Sequence, residues 1–156
     1  MPLIPHIVRH DLEQLGEALA RLERVSRGLS LAEYQADEVK RAACERFLEQ
    51  AIQECIHINE HVARREWGVE PANAHEGFRL WGERGIMPAE FAAEVSRAAG
   101  LRNRLAHAYD TIDDAVLFQA IPTALTQPRQ YGAYVLMYVN TLDPLDETLF
   151  DTGAEA

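Results

Sequence analysis

The sequence predicts an all-α protein, an up-down bundle of five to six helices, and three observations carry that prediction. Apolar residues recur at three- and four-residue steps along most of the chain, no stretch alternates with a period of two, and cap-forming residues stand where the apolar stripes begin. The length of 156 residues suits one domain that can bury a sizeable core.

The first helix is predicted over residues 11–29, where Leu12, Leu15, Leu19, Leu22, Val25 and Leu29 form one stripe and Gly28 and Ser30 mark the stop. Residues 1–10 read as an N-terminal extension. Ser30-Leu31-Ala32-Glu33 has the spacing of a capping box and opens a long second helix. That helix ends near Trp67-Gly68 with Arg64 and Arg65 in its last turn, and a bend is expected near Asp37, where the apolar pattern thins. Asn73-Ala74-His75-Glu76 caps a short third helix carrying Phe78, Leu80 and Trp81 as far as Gly85. Pro88 sits at the start of a fourth, where its missing donor costs nothing; Phe91, Val95, Ala98, Leu101 and Leu105 form its stripe. A fifth element runs from Asp113 to Leu125, interrupted by Pro122, and a last helix from Pro128 to Leu142 presents Tyr131, Tyr134, Val135, Tyr138 and Val139 to the core. The bundle domain thus spans 11–142, followed by an acidic tail over 143–156. Gly100 lies inside the fourth helix at a cost of roughly 1 kcal/mol relative to alanine. A close helix crossing and a helix weakened near a functional end explain it equally well.

Composition narrows the function. The chain is 47% hydrophobic and 26% charged, ordinary for a soluble globular protein. Its longest apolar run, Tyr131 to Val139, is far too short to cross a bilayer, and the first residues lack the basic and apolar regions of a signal peptide, so a cytoplasmic location without membrane attachment is expected. Cys44 and Cys55 fall in one predicted helix about 16 Å apart along its axis, which implies two buried thiols rather than a disulfide. A net charge of −10 argues against indiscriminate nucleic-acid binding but leaves room for a small cationic cleft. Fourteen of the fifteen basic residues are arginine, and Arg97, Arg102 and Arg104 lie within eight positions.

Chemistry concentrates in Arg102-Asn103-Arg104-Leu105-Ala106-His107-Ala108-Tyr109. Arginine offers phosphate a planar set of donors at any working pH, and histidine exchanges protons near neutrality. Together they suit phosphodiester cleavage without a metal. A simpler reading is a basic helix C-terminus that complements the dipole. If the helix ran straight through, positions 103 and 107 would share a face while 102 and 107 would diverge by roughly 140°. Arg102 and His107 then reach one phosphate only if the helix unwinds before His107 or if a second copy of the chain completes the site. The two-fold dimer is the preferred expectation. His57-Ile58-Asn59-Glu60-His61 matches the His-x-x-Glu-His pattern of inverted zinc proteases, but the same residues read more simply as a polar helix face; no metal or cofactor is expected. Trp67 and Trp81 are expected in the core or an interface rather than as base-stacking platforms.

On a helical bundle, this stretch resembles the HepT family of the HEPN superfamily, helical toxins encoded beside a minimal nucleotidyltransferase antitoxin. The hallmark Arg-x4-6-His is matched by Arg102 and His107, the polar residue after the arginine by Asn103, and the continuation His-x-Tyr by His107-Ala108-Tyr109. Arg41 to Ile52, with its Glu45-Arg46 pair, and Phe78 to Ile86 are similar to two further helices of the family, and the likeness covers roughly 10–140. The resemblance implies a homodimeric, metal-independent endoribonuclease with paired motifs at the interface. Arg102 and His107 would be catalytic with Asn103 positioning them, and the attacking group would be the ribose 2′-OH. It further implies silencing by a cognate nucleotidyltransferase that transfers AMP to Tyr109. Arg104 and Arg97 are read as supporting cations for RNA. The alternative is a non-catalytic nucleotide- or substrate-binding partner subunit of a minimal nucleotidyltransferase.

Overall fold

The structure, a computed structural model, describes residues 2–107 and 113–144, with the backbone alone at 106 and 107. Those residues form seven helical segments and no strand: α1 (Pro5–Ser26), α2 (Leu31–Ala36), α3 (Glu38–Arg65), α4 (Ala74–Glu83), α5 (Ala89–Ser96), α6 (Ala98–His107) and α7 (Asp114–Leu142). The long helices α1, α3 and α7 form the frame. α1 lies against α3 and α7, α4 packs on α5, and α6 is held mainly by α3.

The predicted caps are in place. Ser30 Oγ accepts the Glu33 N–H at 3.1 Å while its hydroxyl donates to Glu33 Oε1, and Asn73 Oδ1 accepts the Glu76 N–H at 2.8 Å. The expected bend near Asp37 is a full break: Asp37 closes α2 and its carboxylate caps α3 through the Lys40 N–H. Gly68 follows α3 with φ of +63°, the left-handed conformation that lets a helix terminate.

Three boundaries differ from the sequence reading. α1 begins at Pro5 rather than at residue 11, because Leu3 and Val8 are buried and His61 Nε2 accepts the Ile4 N–H at 3.3 Å. The predicted fourth helix is two, parted at Arg97, where the Arg97 and Gly100 N–H groups bond three residues back. Conversely, the predicted fifth and sixth helices are one. Pro122 and Pro128 both lie inside α7, and burial of Leu117, Ile121, Pro128, Tyr131, Val135 and Val139 outweighs the backbone bonds they remove. The Thr126 hydroxyl donates to the carbonyls of Pro122 and Thr123 in that weakened stretch.

The core centres on an aromatic group. Trp67 and Trp81 meet edge to face at 4.9 Å, Trp81 and Phe78 also flank Tyr131, and Trp67 Nε1 donates to Tyr138 Oη at 2.9 Å. Both tryptophans therefore serve packing. Buried Asn59 sits beneath them, its Oδ1 accepting from Trp81 Nε1 and from the Tyr131 hydroxyl, so that one amide pins α3, α4 and α7 together. Cys44 and Cys55 are buried free thiols, and burial pushes the Cys44 thiol up to about 11.

The close helix crossing is at Gly82, where an added Cβ would come within 2.9 Å of Ala92 and 3.1 Å of the Ala89 backbone. At Gly100 an added Cβ meets nothing within 4 Å, which removes the crossing explanation for that residue. Gly100→Ala is therefore expected to stabilise the fold by about 0.5–1 kcal/mol, raising the thermal midpoint by roughly 1–4 °C. Calorimetry of the variant checks it.

Candidate functional site

α6 is seated by Leu101 and Leu105, the latter wholly buried, and this fixes where its other residues fall. Arg102 lies on the α3 side of that seam and is half-buried. Its Nε donates to Gln53 Oε1 on α3 at 2.9 Å, and Nη1 makes a longer 3.4 Å contact with Asn103 Oδ1. Asn103 itself is exposed. Arg104 and Arg97 lie on the opposite flank of the seam, about 160° round the helix from Arg102 in the case of Arg104.

There the two arginines line an open groove of about 480 Å³ between α3, α5, α6 and α7. Its floor is apolar, built from Leu48, Ile52, Val95, Leu101, Leu117 and Pro128, and Glu94 and Asp113 share its rim with the arginines. The structure thus brings Arg102 and Asn103 together and separates both from the two cations read as their support. Gln53 carries no motif and was missed from sequence; it sits at the edge of the α3 stripe, next to buried Ile52.

The helix does not unwind before His107, since α6 is continuous from Ala98 to His107. Positions 102 and 107 are consequently about 7.5 Å apart along the axis and about 140° apart around it. Tyr109 lies outside the described residues, as does the acidic tail beyond 144.

The His-x-x-Glu-His stretch is used otherwise. His61 holds the Ile4 N–H, and its pKa is lowered, chiefly by burial and then by Arg65, against an opposing pull from Asp11. Glu60 pairs with Arg64 at 3.7 Å, His57 faces solvent, and among the described residues no three His, Cys, Asp or Glu side chains converge in metal-binding geometry. Nor, among them, is any helix long and apolar enough to cross a membrane.

Comparison with known proteins bears on the family and the fold. The model of the family described as "Ribonuclease HepT-like" matches residues 15–133. A tRNA nuclease HepT from Aphanizomenon flos-aquae (strain 2012/KM1/D3) is 32% identical over 139 residues, covering 89% of this chain and 94% of the relative. Among solved structures, the tri-AMPylated Shewanella oneidensis HEPN toxin in complex with its MNT antitoxin superposes with a TM-score of 0.76 at 17% identity, covering 84% of this chain and 97% of that one. A cytosolic protein of unknown function, YutE from Bacillus subtilis, superposes with a TM-score of 0.77 at 13% identity, covering 90% and 93%. At these identities the structural matches speak for the helical fold, while the family model and the Aphanizomenon relative go further: the chain belongs to the ribonuclease HepT-like family.

Proposed function

We propose that this protein is the ribonuclease toxin of a toxin–antitoxin pair, a homodimeric, metal-independent endoribonuclease whose site is assembled from Arg102 of one copy and His107 of the other. The observation that carries this reading is the unbroken course of α6 through position 107, together with the anchoring of Arg102 to α3. A single straight helix aims the two positions apart, and a two-fold axis beside α6 lets the guanidinium of one copy and the imidazole of its mate approach the same phosphate.

The chemistry then follows from the two groups. The imidazole accepts the proton of the ribose 2′-OH as that oxygen attacks the adjacent phosphorus, or returns one to the departing 5′-oxygen. The guanidinium compensates the charge gained by the non-bridging oxygens in the transition state, which is the task a metal performs elsewhere. Products are a 2′,3′-cyclic phosphate and a 5′-hydroxyl. The name of the Aphanizomenon relative makes tRNA the first substrate to try.

Mixing two inactive variants tests the shared site. Arg102→Ala and His107→Ala chains, unfolded together and refolded at equal amounts, should recover about a quarter of wild-type cleavage, because half of the dimers are mixed and each of those holds one complete site. Recovery should persist in excess EDTA. No recovery from variants that still dimerise would place both groups in one copy and sink the shared-site reading.

The partner is a nucleotidyltransferase antitoxin, supported by the AMPylated toxin–antitoxin complex among the structural matches. Tyr109, two residues beyond His107, is the proposed acceptor. A phosphate-bearing adduct there adds bulk and negative charge where RNA must approach. Intact-mass measurement after incubation with antitoxin and ATP should show whole AMP additions that Tyr109→Phe abolishes; additions that survive in that variant would refute the assignment.

A further inference from the structure

We infer that Gln53 is a positioning residue for Arg102, and that its being an amide rather than an acid preserves the cation. The inference rests on the reading above that Arg102 touches the reacting phosphate. Gln53 is partly buried and lies on α3 between buried Ile52 and buried Cys55, at the margin of the face that receives α6. Its Oε1 accepts from Arg102 Nε at 2.9 Å. A guanidinium only donates, so the amide oxygen has to be the atom that faces it.

Arginine grips an oxyanion through either of two pairs of N–H groups, the terminal Nη1/Nη2 pair or the lateral Nε/Nη pair. The bond to Gln53 engages Nε and so removes the lateral pair from use. It leaves the terminal pair as the grip on phosphate and holds the planar group edge-on to α3. A long, rotamer-rich side chain is thereby restrained before substrate arrives. The 3.4 Å contact of Nη1 with Asn103 Oδ1 is too long to do this by itself.

Charge explains the choice of residue. One turn earlier on α3, Glu49 is already paired with Arg46 at 3.7 Å, so its carboxylate is partly compensated. A glutamate at 53 would hold Nε equally well but would offset the Arg102 charge, in a chain whose net charge is already −10. The neutral acceptor orients the guanidinium without cancelling it.

Three measurements on the full-length dimer test this. In spectra of ¹⁵N-arginine-labelled protein, the Arg102 Nε–H signal, assigned by its loss in Arg102→Ala, should exchange slowly in wild type and in Gln53→Glu, and fast in Gln53→Ala. In RNA cleavage, Gln53→Ala should lower kcat about 10–100-fold with KM little changed, whereas Gln53→Glu should chiefly raise KM. In an Arg102→Lys background, which has no Nε–H to hold, Gln53→Ala should have no further effect on kcat. Exchange of the Nε–H that is equally fast in wild type and Gln53→Ala, a kcat for Gln53→Ala within twofold of wild type, or an equal loss in both backgrounds would overturn the positioning role. Cleavage left intact by Arg102→Ala would instead overturn the functional reading beneath it, even with the Nε–H protected.

Discussion

His107→Ala is expected to slow RNA cleavage by about 10²–10⁴-fold, the range over which a positioned general acid or base contributes. Arg102→Ala should cost about 10²–10³-fold, as loss of one charge-stabilising donor does. The two losses are not expected to add, since neither group alone completes the displacement. Both variants should keep the wild-type thermal midpoint within a few degrees, because Arg102 is a half-buried flank residue and the seam that seats α6 is made by Leu101 and Leu105. A substrate with 2′-deoxyribose at the scissile position should resist cleavage by wild type. Initial rates on labelled tRNA, with end-group analysis of the fragments, decide the matter. Wild-type rates from either variant would move the protein to the alternative reading, a non-catalytic partner of a nucleotidyltransferase.

The largest effect on stability is expected at Asn59. Asn59→Leu keeps the branched shape in a bulkier side chain but strands the Trp81 Nε1–H and weakens the satisfaction of the Tyr131 hydroxyl, which retains only the Cys55 carbonyl at 3.2 Å. A buried donor left without a partner costs about 1–3 kcal/mol, so a loss of about 3 kcal/mol in all is expected. For a chain of this size that lowers the thermal midpoint by about 6–12 °C. Asn59 packs beside Gly77 of α4, where an added Cβ would come within 3.2 Å of its own, and the bulkier leucine adds strain at that approach. Thermal unfolding followed by tryptophan fluorescence reads both the stability and the loosening around Trp81. A midpoint shift under 2 °C would show that this amide does not hold the three helices together.

Local chemistry was legible and distant chemistry was not. Ser30 and Asn73 announce their helices because a cap is a bargain struck within four residues, and the α1 stripe is periodic enough to be read directly. The prolines of α7 misled for the same reason: their penalty is local, while the packing that overrides it comes from helices far away in sequence. Asn59 did leave a signal. It stands among Cys55, Ile56, Ile58 and Val62, at a position whose neighbours are apolar, and a polar residue there requires buried partners; it was read instead as part of a polar helix face. Of the candidate site, the composition of the motif was visible, and so was the divergence of positions 102 and 107 in an unbroken helix. Gln53 was not, since an amide at a stripe margin looks like any solvated residue until α6 is laid against it. Likewise, only the folded chain shows that Arg97 and Arg104 face a groove on the other flank from Arg102.

Arg9 clasps the far end of α7, donating to both the side chain and the carbonyl of Asp143 at 2.6 Å and to Asn140 at 3.0 Å. The start of α1 and the end of α7 are thereby neighbours. A peptide bridge from Asp143 to Pro5 would join two helix ends that the Arg9 clasp already holds on one side of the bundle, so new ends could be cut elsewhere, for instance in the turn after α3, with the same helices still meeting around the core.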